Sequence, residues 1–300
     1  MARAFLEAGN ADAWLAWKDE NLAGYADQTT LESILVDLRE VKTEEELEFL
    51  QRAIDITTAA HREAFRSIEP GLHEYEIEAV IEYVFHRGGA EHQGFPSIVG
   101  SGENSVILHY ESNRRRMEDG DVVVMDIGAE YRGYSADVTR TAPVSGHFSR
   151  EQRLIYDAVL EAQEAAIAAA VAGASFRAPN VAAAAVLADR LTELGIISAP
   201  GEISRFMPHG VSHYLGLDVH DAGTYGPLRP GNVITVEPGI YVSPMEGVDE
   251  KWWNIGVRIE DDVLITEAGP VVLSSSAPRT ADEIERMMEE SGLASVDVGR

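Results

Sequence analysis

The residues able to do chemistry in this chain are carboxylates and imidazoles set among apolar strands, beginning with Asp126 and Asp137. Their midpoint falls between Tyr131 and Arg132, beside the turn-forming pair Arg132-Gly133, so a hairpin there would set the two carboxylates nearly opposite each other. Opposed side chains in a hairpin have Cβ atoms about 4.5–5.5 Å apart. Like charges that close force one group to take up a proton unless a cation lies between them. Taken alone, the pair fits two solvated strand-end residues equally well, because a metal needs more ligands. Glu237, Glu260 and His213 would supply them; Glu260 stands in Arg258-Ile-Glu-Asp-Asp-Val, where an acidic residue inside an apolar strand has no packing role. Four carboxylates carry −4 and two divalent cations +4, so the set is costly empty and nearly neutral filled. Oxygen ligands with one imidazole suit Mn²⁺, and also Mg²⁺, Co²⁺, Fe²⁺ or Zn²⁺. The chain has no cysteine, which excludes thiolate metal sites, disulfides and a cysteine nucleophile.

His209-Gly-Val-Ser-His213 has i, i+4 spacing but lacks the glutamate of a zinc-binding HExxH helix, and Gly210 disfavours helix there. His220 in Leu215-Gly-Leu-Asp-Val-His-Asp221 and His109 in Ile107-Leu-His-Tyr110 complete a group of histidines beside carboxylate strands or glycine turns. A single such histidine would be read as a satisfied core residue; four in this setting point to function. His61, His73, His86, His92 and His147 are expected on helical or loop surfaces, without a role.

An internal repeat suggests how these residues are brought together. Gly120-Asp-Val-Val-Val-Met-Asp126-Ile-Gly128 lies on Gly231-Asn-Val-Ile-Thr-Val-Glu237-Pro-Gly239 at one constant offset of 111 residues. Each copy is a turn glycine, an apolar strand, a carboxylate and a second glycine, which predicts two related halves meeting with one carboxylate strand each. Around them, Thr43 and Glu46 form a capping box opening a helix to about Ser67, and residues 74–85 repeat the pattern after Pro70-Gly71. Residues 94–109 and 120–144 read as strands and turns, 149–171 and 179–195 as alanine-rich helices, and 281–290 as an acidic helix. Residues 1–38 show no sustained period and read as an arm. Helices with segregated, mostly antiparallel strands predict an α+β fold.

The formal charge of −27 excludes proteins whose affinity comes from neutralising phosphates, so neither nucleic acid nor an anionic membrane surface is an expected partner. Only Lys18, Lys42 and Lys251 are lysines. So acidic and lysine-poor a surface fits adaptation to salt or a coding bias towards arginine. The N-terminus lacks the layout of a secretory signal, and cytoplasmic residence is expected.

The segments Gly100-Ser-Gly-Glu-Asn, Ile107-Leu-His-Tyr, Met125-Asp-Ile-Gly, Tyr134-Ser-Ala-Asp-Val-Thr-Arg-Thr, His209-Gly-Val-Ser-His-Tyr-Leu-Gly-Leu-Asp-Val-His-Asp, Val236-Glu-Pro-Gly-Ile-Tyr and Arg258-Ile-Glu-Asp together resemble the pita-bread metallopeptidases. Within that fold the chain is most similar to the Xaa-Pro aminopeptidases (aminopeptidase P), over roughly residues 38–290. The resemblance implies a pita-bread catalytic domain over residues 39–300, with 1–38 as a short arm or remnant of the family's N-terminal domain. It implies that Asp126 chelates one metal, that His213 and Glu237 hold the other, and that Asp137 and Glu260 bridge both, with a hydroxide between the metals. It places His109, His209 and His220 in the substrate pocket, with His220 near the scissile amide, and Arg258 in the inner site. The implied reaction is hydrolysis of the N-terminal Xaa-Pro bond, with Glu237 relaying the proton. Peptides with proline second are then the substrates, and a homodimer is the expected assembly.

Other readings of the same residues remain. A prolidase restricted to Xaa-Pro dipeptides carries a similar histidine-rich stretch; a methionine aminopeptidase shares the ligands without it. Some pita-bread domains are metal-free binding modules, which the intact ligand set here argues against. The segment 243–254, with Trp252 and Trp253, reads either as a lid over the site or as two aromatics on a variable loop.

Overall fold

The computed structural model describes Trp17 and residues 28–295. Most of the segment expected to be an arm, residues 1–16 and 18–27, lies outside the described residues. Its described end is a helix, α1 (Gln28–Arg39), whose Leu31, Ile34, Leu35 and Leu38 are exposed. Helix α2 (Glu44–Ser67) opens on the predicted capping box: the Thr43 side chain accepts from the Glu46 N–H, and Glu44, Glu45 and Glu46 favour the helix dipole. Helix α3 (Glu74–Gly88) packs on it and stops at Gly89, whose φ of 93° suits a residue without a Cβ. Helices α4 (Arg150–Ala169) and α5 (Ala178–Glu193) form a second packed pair, and α6 (Ala281–Met288) closes the chain.

All the strand pairs among the described residues are antiparallel, so the α+β expectation holds. The central strand β3 (Val122–Ile127) lies between β2 (Ile98–Ser101) and β6 (Val138–Pro143). A smaller sheet orders β1 (His92–Gln93), β4 (Ala129–Tyr131) and β5 (Tyr134–Ser135). The second half repeats the scheme with β7 (Val233–Val236), which pairs with β10 (Asp261–Thr266) and through it with β11 (Gly269–Val272); β8 (Gly239–Val242) pairs with β9 (Ile255–Arg258). The repeat glycines match in conformation, with φ of 90° at Gly120 and 89° at Gly231, and each leads into a strand two residues later. A helix pair precedes each of these strands. The halves are joined where the Glu260 N–H donates to the Thr139 carbonyl at 3.0 Å and the Thr141 hydroxyl donates to the Arg258 carbonyl at 3.0 Å. Among the described residues no helix is long and apolar enough to cross a membrane.

The hairpin register departs from the predicted one. Arg132 and Gly133, at φ of 55° and 85°, are themselves the two central residues of the turn, because Tyr131 pairs with Tyr134. The register that follows sets Asp126 against Thr139, so Asp126 and Asp137 share a sheet face as diagonal neighbours rather than an opposed pair. Gly128 is fixed here by space: a Cβ would sit 1.9 Å from the Ala136 carbonyl oxygen and 2.7 Å from the Phe95 ring. Gly128→Ala is expected to lower stability in urea unfolding by about 1–3 kcal/mol, the cost of overpacking.

His61 also departs from expectation. It lies on the inner face of α2 and is fully buried, its Nε2–H donating to the Val138 carbonyl at 2.9 Å. Burial holds its pKa down at about 3. The unfolded chain takes this proton near pH 6.5 and the folded protein does not, so His61 costs stability increasingly as pH falls from 6.5 towards 3. His61→Gln, which keeps a donor in place, should flatten the acid limb of the stability profile by about one proton; an unchanged slope would contradict this.

Candidate metal centre

All the predicted ligand residues and the four predicted functional histidines line one cavity of about 300 Å³, together with Arg258, Leu108, Gly210 and Ser212. Size does not single it out, since a larger cavity of about 550 Å³ is walled by Arg62, Arg140, Arg279 and Arg286. What distinguishes the smaller one is its donor set. Asp126 and Asp137 project from the β3–β6 hairpin, Glu237 follows β7, and Glu260 joins β9 to β10. His213 lies on the segment whose backbone runs beside β7, with the Thr235 N–H donating to its carbonyl at 3.0 Å.

The ligand atoms converge tightly at one end. Asp137, His213 and Glu260 each offer one donor atom, and these three lie within 4.8 Å of one another. His213 Nε2 is 3.3 Å from Asp137 Oδ2 and 3.5 Å from Glu237 Oε1. His213 Nδ1 is 3.0 Å from the Tyr214 carbonyl, and since a carbonyl only accepts, Nδ1 carries a proton and the ring turns Nε2 towards the carboxylates. A metal-binding imidazole is oriented in this way.

The electrostatics describe a site short of positive charge. Burial, then Asp126, Asp262 and Glu237, push the Asp137 carboxyl well above the usual carboxylate range; burial, then Asp137, Glu237 and Asp126, do the same to Glu260. Glu237 is raised by burial to about 7. Asp126 Oδ1 and Asp137 Oδ1 are buried without a hydrogen-bond partner. Unpaired buried carboxylate oxygens are unfavourable unless a cation joins them. The residues therefore fit divalent metal binding.

The remaining groups brace the ligands. Arg258 Nη2 donates to Asp126 Oδ2 at 2.6 Å, Nε to the Thr139 hydroxyl at 3.1 Å, and Nη1 to the Tyr241 hydroxyl at 2.8 Å. The Thr139 hydroxyl in turn donates to Glu260 Oε2 at 2.6 Å. His209 Nδ1 donates to the Gly210 carbonyl at 2.8 Å, so Nε2 accepts from Tyr241 at 2.9 Å; burial holds this ring at about 4, neutral at physiological pH. His109 and His220 are exposed at the mouth, and the His220 ring meets His213 edge-on with centroids 4.4 Å apart. Tyr241 and Thr139 were not singled out from sequence, though both stand inside the motifs quoted above; only their position in those motifs marked them. Trp252 is buried and Trp253 packs against the core, and neither lines the cavity, so the reading of this loop as a lid is not supported.

Two pseudo-symmetric halves closing on a carboxylate-rich centre with one imidazole define a pita-bread metallohydrolase. Residues 48–267 match the sequence pattern of metallopeptidase family M24, and the chain belongs to that family. It is 41% identical to the Xaa-Pro aminopeptidase of Escherichia coli K12, over 90% of this chain and 64% of that protein. It is 33% identical to human Xaa-Pro dipeptidase, over 94% of this chain and 68% of the relative. Among solved structures, Pseudomonas aeruginosa aminopeptidase PepP aligns with a TM-score of 0.85 at 40% identity, covering 86% of this chain and 62% of that one. The chain thus spans a little under two thirds of the length of these bacterial relatives.

Proposed function

We propose that this chain is a two-metal aminopeptidase that hydrolyses the bond between an N-terminal residue and a following proline. The observation that carries the reading is the convergence of one donor atom each from His213, Asp137 and Glu260 within 4.8 Å, in a cavity also lined by Asp126, Glu237 and three further histidines. Asp126 would hold one ion, His213 and Glu237 the other, and Asp137 and Glu260 both; Mn²⁺ is the first choice, with Co²⁺, Zn²⁺, Fe²⁺ and Mg²⁺ as alternatives. Bound divalent cations lower the pKa of water and polarise the scissile carbonyl.

The chain's own residues do the rest. Glu237 would take a proton from water and return it to the departing proline nitrogen. That nitrogen is tertiary and has no N–H, so recognition must come from shape. Neutral His209, fixed between Gly210 and Tyr241, and exposed His220 form the wall that would meet the pyrrolidine ring. The acidic centre attracts a free α-amino group and so limits attack to the N-terminal residue. The identity to the Xaa-Pro aminopeptidase of Escherichia coli K12 supports the substrate class, and the cytoplasm is the proposed setting.

Metal analysis followed by assay with Mn²⁺ tests the reading. Tripeptides with proline second should be cleaved, and faster than the corresponding dipeptide. Turnover of the dipeptide alone would establish a prolidase, while absence of both bound metal and peptidase activity would leave a binding module.

A further inference from the structure

Residues 39–42, the last residue of α1 and the link to α2, send three charged side chains into the loop that follows His213. Glu40, fully buried, accepts from the Tyr214 hydroxyl and from the N–H and hydroxyl of Thr224, each at 3.1 Å, and its carbonyl accepts from Asn232 Nδ2 at 2.9 Å. Arg39 and Lys42 both reach Asp221. Arg39 Nη2 lies 2.5 Å from Asp221 Oδ1 and Lys42 Nζ 3.1 Å from Asp221 Oδ2, with the Lys42 and Asp221 side chains each 1% exposed. The Ala222 N–H donates to Asp221 Oδ1 at 2.9 Å, so both carboxylate oxygens are engaged. Gly216 leaves room for this pairing, because a Cβ there would fall 2.1 Å from Asp221 Oδ2.

A buried ion pair seldom repays its desolvation in stability, and an apolar pair of similar volume would pack as well. What this one does is fix a conformation. The Asp221 N–H closes the loop onto the Tyr214 carbonyl at 2.9 Å, which puts His220 beside the pinned residue. The His220 ring makes no side-chain hydrogen bond among the described residues and meets the His213 ring edge-on, so the backbone of the pinned loop bears on where it sits. We propose that Lys42 and Arg39, acting through Asp221, are positioning residues that set His220 for the substrate. This inference builds on the proposed peptidase reading.

The test is a double-mutant cycle with a second, activity-independent readout. Lys42→Met should lower kcat/KM on an Xaa-Pro tripeptide by roughly tenfold to a hundredfold, the scale of an ångström-level misplacement. In a His220→Ala background the same change should cost less than about twofold, because the residue it positions is gone. Asp221→Asn, which keeps the side-chain shape, runs the same cycle should Lys42→Met fold poorly. In metal-free protein, amides of residues 214–222 should exchange with solvent roughly tenfold faster in either variant. Equal activity losses in both backgrounds would overturn the inference, since a merely structural effect behaves that way; so would unchanged exchange. If the unsubstituted protein with Mn²⁺ cleaves no peptide, the peptidase reading falls, and the exchange measurement alone decides whether the ion pair holds the loop.

Discussion

Asp137→Asn is expected to cut peptidase activity by more than about a hundredfold, the loss that follows removal of a mere outer partner of a metal ligand, while making the metal-free protein more stable. Both effects have one cause. Asp137 sits among Asp126, Asp262 and Glu237, and burial with their charges drives its carboxyl well above the ordinary range. An asparagine of the same shape is neutral without having to take up a proton, and the gain should be about 1 kcal/mol, read as a melting temperature a few degrees higher. Added Mn²⁺ should raise the melting point of the unsubstituted protein and have little effect on the variant. A destabilised metal-free variant would show that the cluster is not strained.

The same strain gives a pH dependence. Glu237 titrates at about 7 in the folded protein against 4.5 ordinarily, so the folded state binds more protons between those values. Its contribution to stability is therefore greatest at low pH and is lost as pH rises through 7. Between pH 6.5 and 8 the loss at Glu237 outweighs the remaining gain as His61 of the unfolded chain finishes deprotonating, so the metal-free protein should become less stable.

Arg258→Met is expected to cost about 3–5 kcal/mol in the metal-free protein, the penalty for leaving a buried charge without its partner. Arg258 is 4% exposed, and its guanidinium is the one cationic partner of Asp126, at 2.6 Å, among the described residues. Bound cations would give Asp126 another counter-charge, so the deficit should shrink in Mn²⁺; urea unfolding with and without the metal measures the difference. Equal losses in both conditions would mean that Asp126 does not face the ions.

How much was legible beforehand follows from what each signal depends on. Local signals were readable: the Thr43–Glu46 capping box, the alanine-rich helices, and the turn glycines at 120 and 231 act within a few residues. The helix α1 escaped notice because its apolar residues, Leu31, Ile34, Leu35 and Leu38, are exposed and read as scattered clusters. His61 was misplaced because a helix face is assigned by what packs on it, and the packing partner, β6 with Val138, is 77 residues away.

The sequence by itself determined the kinds of donor atom in the centre, the repeat that pairs their strands, and the exclusion of thiolate chemistry, since these are properties of residue type and order. Only the tertiary structure decided the register that makes Asp126 and Asp137 diagonal neighbours, the proton position on His213, and the brace of Arg258, Thr139 and Tyr241. It alone linked residues 39–42 to Asp221. The physical reason is common to all of these: hydrogen bonds and Coulomb interactions act over a few ångströms of space, and positions far apart in the chain, such as Arg39 and Asp221, become neighbours only once the two halves have closed.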